Sequence, residues 1–146
     1  ETIEPYIDAK QIHFVGEVGY EKRELYANAR CLLVPICWEE PFGLVMAEAM
    51  ACGTPVIAFN RASAPELIVD GETGYLVRNV DEMAEAVGRL DRLDPYRCRR
   101  HVEENFDVPI MVQRYLELYR RILAWETPQV EARPVPVVPS QGMRVA

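Results

Sequence analysis

Glu40-Pro41-Phe42-Gly43-Leu44-Val45-Met46-Ala47-Glu48 runs directly into Ala49-Met50-Ala51-Cys52-Gly53-Thr54-Pro55-Val56. The stretch reads as a nearly all-apolar helix from Phe42 to Cys52, a stop at Gly53 and a buried strand over Pro55–Phe59. Glycine just past a last turn takes the left-handed conformation that closes a helix. Glu48 is the only charged residue between Pro41 and Gly53. A carboxylate in such surroundings needs hydrogen-bond donors, because burying it without them is costly. Its neighbours one helical turn away, Leu44, Val45, Ala51 and Cys52, supply none. The donors come either from a distant arginine such as Arg61 or Arg78 or from a ligand.

Upstream, Cys31-Leu32-Leu33-Val34-Pro35 is a continuous apolar run, the pattern of a strand buried on both faces of a parallel sheet. Residues 21–29 set Leu25 and Tyr26 among charges, as an amphipathic helix does. Ile12-His13-Phe14-Val15, ending at Gly16, reads as a short strand. Downstream, Ala64 to Val69 gives one or two helical turns, Asp70 to Gly74 a turn, and Tyr75-Leu76-Val77 a third strand. Asp81 is expected to cap a helix through about Leu93, with Met83, Ala84, Val87 and Leu90 on one face. Asp94-Pro95 starts another helix to about Asn105, and the last runs from about Pro109 to Ala124. Strands alternating with helices predict an α/β domain, a Rossmann-like parallel sheet with flanking helices. Thr127 to Ala146 holds Pro128, Pro134, Pro136 and Pro139 with no helical period. The chain therefore divides into a domain over residues 1–124 and a Pro-rich linker or mobile tail over 125–146.

The 146 residues are 49% apolar and 27% charged, with a net charge of −7. This is the make-up of one soluble globular domain. An acidic balance argues against nucleic acid as a partner. No apolar run is long enough to span a membrane, and no leader pattern is visible. The first residue, Glu1, suggests a piece of a longer chain. Cys31, Cys37, Cys52 and Cys98 form no C-x-x-C pair, and His13 and His101 lie far apart, which is poor zinc chemistry. The cysteines read as reduced thiols of a cytoplasmic protein. Arg97, Arg99 and Arg100 could make peripheral contact with an acidic membrane surface, although Glu103 and Glu104 suggest a solvated, ion-paired face. His101 reads as a solvated surface residue, His13 as strand packing, and Glu39 as solvated. Trp38 either packs on a ligand or braces its loop.

Ligands of open parallel sheets bind at the carboxyl ends of strands, where loops enter helix N-termini. Here that loop is residues 36–41. The first amides of a helix lack partners and favour anions, and Gly43 lets a ligand approach its backbone. Glu48 lies about five residues further in, roughly 7–8 Å along the axis, about the step from a diphosphate to the ribose of a nucleotide. Glu40 stands on the other side of the helix start, where a sugar would be.

These residues resemble the donor-binding signature of the retaining glycosyltransferases of family 4, which have the GT-B fold. The shared pattern is Glu, seven residues, Glu, with Phe42-Gly43-Leu44 inside and Glu48-Ala49-Met50-Ala51-Cys52-Gly53-Thr54-Pro55-Val56 behind. It extends to Ala64-Pro65-Glu66-Leu67-Ile68 and Asp70-Gly71-Glu72-Thr73-Gly74-Tyr75-Leu76-Val77, and upstream to Ile12–Gly16 and Glu24-Leu25-Tyr26-Ala27-Asn28-Ala29. The similarity covers roughly residues 10–124. It implies that Glu40, the catalytic-site acid, holds donor-sugar hydroxyls, and that the amides of Phe42, Gly43 and Leu44 contact sugar and diphosphate. It further implies that Val45 packs near ribose or phosphate, that Glu48 accepts from the ribose hydroxyls, and that Gly16-Glu17-Val18 lies near the base. The implied reaction moves a hexosyl group from a nucleotide-diphosphate sugar to an acceptor hydroxyl with retention, without metal or cofactor.

Ser63-Ala64 stands where the family usually has Gly-Gly. The family's diphosphate-neutralising Arg and Lys have no match, and its acceptor-binding N-terminal domain is missing, so the chain alone is expected to be inactive. If the family strand order 3-2-1-4-5-6 applies, the visible strands are 3 to 6. The strand at residues 12–15 then pairs abnormally with residues 31–35, or an apolar edge stays open and the chain self-associates. A nucleotide-sugar epimerase of the same fold and a non-catalytic nucleotide-binding remnant are the alternatives. No G-x-G-x-x-G follows a strand, which disfavours a dinucleotide-binding oxidoreductase.

Overall fold

The computed structural model describes residues 4–126. Three parallel strands form one sheet in the order β1-β2-β3: β1 Leu32–Val34, β2 Val56–Phe59 and β3 Gly74–Val77. Leu32 pairs with Val56 and Val34 with Ala58, while Val56 pairs with Gly74 and Phe59 with Val77. The described residues also form six α-helices: α1 Lys22–Asn28, α2 Leu44–Ala51, α3 Ala64–Leu67, α4 Val80–Val87, α5 Pro95–Asn105 and α6 Val108–Glu126, the last packing on α5. The domain is α/β, as expected.

Successive residues of β2 serve opposite faces, the two-residue period of a strand. Val56 and Ala58 join Met46, Met50, Leu67, Cys98 and Val102, from α2, α3 and α5, in one core. Ile57 joins Tyr75, Val77, Met83, Ala86 and Leu90 in a second. Helices on both faces explain why β2 reads as an unbroken apolar run.

The expected strand at Ile12–Val15 does not form: those residues are irregular and exposed. An extended segment is stabilised by a ladder partner, and among the described residues none lies beside it. The same gap leaves the outer edge of β1 open. Consequently β1 is not buried on both faces, for Leu33 is 46% exposed while Val34 is buried.

Helix ends depart from expectation in instructive ways. Gly43 sits at φ +79° before α2, so Phe42 and Gly43 form a turn and the helix begins at Leu44. At the other end Gly53 has φ +83°. Its amide donates to Met50 O at 2.9 Å and the Thr54 amide to Ala49 O at 2.9 Å, the paired bonds of a Schellman closure. Asn79, not Asp81, caps α4: its side chain accepts from the Glu82 amide at 2.9 Å. That helix stops at Gly88, with a separate 3-10 turn over Leu90–Arg92. Ala86 takes the buried position expected of Ala84. Asp94 caps α5 through the Tyr96 amide at 2.9 Å. α6 continues past Ala124, and the expected tail over 127–146 lies outside the described residues. Met111, Tyr115, Leu118 and Ile122 make an exposed apolar stripe along α6.

Candidate functional site

The carboxyl ends of β1 and β2 open into two loops that meet. The first, residues 36–41, leads through Gly43 into α2. The second, residues 60–63, leads into α3 and contains Ala62 at φ +49°. An ion pair between Arg61 and Glu39 joins them. Glu39 thus ties the loops while remaining exposed, as expected of a solvated side chain. Beside the first loop lies a cavity of about 450 Å³, lined among others by Val34, Trp38, Glu40, Phe42, Gly43 and Leu44. Val45 also borders it. Its size lies in the ordinary range for a small-molecule site.

Glu40 is held inside this loop. Its Oε1 accepts from the Gly43 amide at 3.1 Å and its Oε2 from Trp38 Nε1 at 3.2 Å. Trp38 therefore braces the loop. The glycine is required here twice. Its backbone is left-handed, and a Cβ would run into Met46 Cε, with Glu40 Cγ and Ser63 Oγ at 3.5 Å. The amides of Leu44 and Val45, the first two of α2, find no acceptor among the described residues. They point their partial positive charge outward at the start of the helix.

Glu48 lies one turn further along α2, half-buried. Lys22 Nζ of α1 sits 2.5 Å from its Oε1. The partner is neither Arg61 nor Arg78; Arg78 pairs with Glu82. The second oxygen, Glu48 Oε2, is buried and has no hydrogen-bond partner. Glu48 pushes the Lys22 ammonium pKa up through that hydrogen bond. Two further orphaned atoms, Arg61 Nε and Ser63 Oγ, occur in the second loop. Buried polar atoms without partners are uncommon and call for a ligand, an ion or water. Ser63 Oγ lies 3.5 Å from where a Cβ on Gly43 would stand, whereas Glu48 Oε2 lies further along α2, on the side that faces Lys22 of α1.

The structure thus brings Glu40, Phe42, Gly43, Leu44 and Val45 to one cavity and sets Glu48 behind them on the same helix. Val18 stands apart, lining a different hollow of about 580 Å³ against α1 with Glu21, Leu25 and Asn28. Sequence reasoning missed Lys22, because a partner 26 residues away is invisible to helical spacing. It also missed Ser63 as a polar group of the site. His101 is not a solvated residue: its Nε2 donates to Leu67 O at 2.9 Å and its ring packs edge-on against Phe106. His13 is exposed and contacts Lys10 O at 3.2 Å. The arginines of α5 are neutralised by Glu72, Glu103 and Glu104, so they make no free basic patch. Among the described residues no group of three metal-ligating side chains occurs.

The profile described as glycosyl transferases group 1 matches residues 2–92. A protein of Klebsiella pneumoniae known as the uncharacterized 41.2 kDa protein in cps region is 40% identical over 122 residues, covering 78% of this chain and 34% of that one. The alpha-maltose-1-phosphate synthase of Mycolicibacterium smegmatis is 36% identical over 117 residues, covering 70% and 30%. Among solved structures, sucrose-phosphate synthase from Thermosynechococcus elongatus superposes with a TM-score of 0.67 at 32% identity, over 84% of this chain and 33% of that one. Anabaena HepE in complex with UDP-glucose gives 0.69 at 24% identity, over 82% and 35%, a likeness of fold alone. The chain spans about a third of the length of the curated relatives it matches.

Proposed function

This chain belongs to the group 1 glycosyl transferases, and we propose that it carries the donor-binding part of a retaining hexosyltransferase of family 4. The donor is a nucleotide-diphosphate sugar. Its diphosphate lies against the amides at the start of α2, its ribose on Glu48, and its sugar beside Glu40. Phe42, Gly43 and Leu44 supply backbone contacts, Val45 packs near the ribose or phosphate, and Val18 borders the base. The observation that carries this reading is Glu48 Oε2, buried and unpartnered on a helix whose first amides are also unpartnered. The solved complex of HepE with UDP-glucose has this fold and supports a donor of that class.

In the reaction the acceptor oxygen bonds to the anomeric carbon as the bond to the diphosphate breaks, and the acceptor proton leaves with the diphosphate. Charge develops on the leaving phosphate, and fixed helix amides stabilise it without reorganising. No metal is needed in this account. The acceptor binds to a further domain, so residues 1–146 alone bind donor but do not turn it over. The open edge of β1 and the apolar stripe of α6 support contact with such a domain, or self-association in its absence. Among the described residues no helix is long and apolar enough to cross a membrane. A cytoplasmic location is proposed on a different ground, the four unpaired thiols Cys31, Cys37, Cys52 and Cys98.

The test is titration of UDP, ADP and GDP against this chain and its Glu48→Ala variant. One nucleotide should bind, and the variant should bind it roughly tenfold more weakly or worse. No binding by any of the three, or equal binding by the variant, removes the reading. A nucleotide sugar changing configuration without an acceptor would reassign the activity to an epimerase.

A further inference from the structure

We propose that Lys22 is a positioning residue of the donor site: it clamps one oxygen of Glu48 so that the other is presented to the nucleotide. The inference rests on the donor reading of Glu48 and adds a group that the sequence signature does not contain.

Three observations carry it. First, the two oxygens of Glu48 are treated differently. Oε1 is 2.5 Å from Lys22 Nζ, while Oε2 is buried with no partner. A carboxylate gripped on one side has a fixed plane, and its free oxygen has a fixed direction. Second, Lys22 is itself held. Tyr26, one turn along α1 on the same face, packs against the core, and its carbonyl accepts from Thr54 Oγ1 at 2.5 Å. Thr54 belongs to the Schellman closure of α2 through its amide bond to Ala49 O, so α1 is pinned to the helix that bears Glu48. Third, the charge balance requires a cation. A chain with net charge −7 that offers a bare carboxylate repels a diphosphate; the Lys22 ammonium cancels that carboxylate while leaving its hydrogen-bonding capacity.

A double-mutant cycle in the full chain tests this, with whichever of UDP, ADP or GDP binds as the probe. Lys22→Met keeps the aliphatic stem and removes the charge. It should weaken binding by roughly tenfold. In a Glu48→Ala background the same change should alter binding by less than about twofold, because residues that act through one another are not additive. Lys22→Arg should restore most of the affinity. An equal loss in both backgrounds would make Lys22 a direct ligand contact or a purely structural residue and overturn the proposal, as would full affinity in Lys22→Met. Failure of the wild-type chain to bind any of the three nucleotides would instead remove the donor reading itself.

Discussion

The amide of Gly43 donates to Glu40 Oε1 at 3.1 Å, so the acid assigned to the sugar occupies one of the donors beside the phosphate site. For a sugar to engage Glu40, that internal bond must be exchanged for ligand contacts. Glu40→Ala should therefore leave affinity for the bare nucleoside diphosphate unchanged or raised, while abolishing any advantage of the nucleotide sugar over it. Titration with both ligands decides this; a parallel loss for the two would place Glu40 elsewhere.

Two glycines are fixed for different physical reasons. At Gly43 the left-handed backbone penalises any other residue by about 1–2 kcal/mol, and Gly43→Ala should show that loss together with weaker nucleotide binding. At Gly74 the backbone is ordinary, but an added Cβ would overlap Val56 O across the β2–β3 pair. Gly74→Ala should cost about 3 kcal/mol by forcing the strands apart. Denaturant midpoints measure both; an unperturbed Gly74→Ala would mean that the pairing is looser than described.

Ser63 Oγ is buried, with the residue only 5% exposed, and has no partner. It does not cap α3 either. Ser63→Ala should therefore stabilise the unliganded chain by about 1 kcal/mol, since an unmade buried hydrogen bond is removed. A fall in melting temperature would show that the hydroxyl is satisfied, for instance by bound water.

Much of this architecture was legible in local sequence, and the failures have a common cause. Gly53 announced the helix end because left-handed closure is a local property. β2 read as a buried strand because both its faces are covered. Leu33, in an equally apolar run, is half-exposed because burial depends on neighbours that periodicity does not report. Ile12–Val15 has strand composition without a ladder partner. At the site, the Glu40–Glu48 spacing and Gly43 were readable, whereas Lys22 and Ser63 enter through contacts between distant segments. Gly43, expected in the first helical turn, instead caps a helix that starts two residues later than Phe42, because its left-handed φ satisfies a turn and not a helical residue.

Burial pushes the Cys98 thiol up to about 11, with Asp94 adding to it; its Sγ donates to Thr73 O at 3.4 Å. An unfolded thiol titrates near 9.0. The folded state thus keeps the proton that the unfolded state loses, and the stabilisation is present in full below pH 9 and lost as pH rises through 11. Wild-type stability should fall more steeply than that of Cys98→Ala over this window, and equal slopes would contradict the assignment. At neutral pH exposed Cys37 should be alkylated long before Cys98.

The central claim is that the start of α2 receives the diphosphate while Glu48 receives the ribose. Backbone amide chemical shifts of the chain, followed during titration with the nucleoside diphosphate it binds, test it most directly. The account predicts the largest changes at Leu44 and Val45, with Gly43 and Glu48 following and α6 unmoved. Saturable binding with shifts confined to other segments, and with Leu44 and Val45 unchanged, would contradict it.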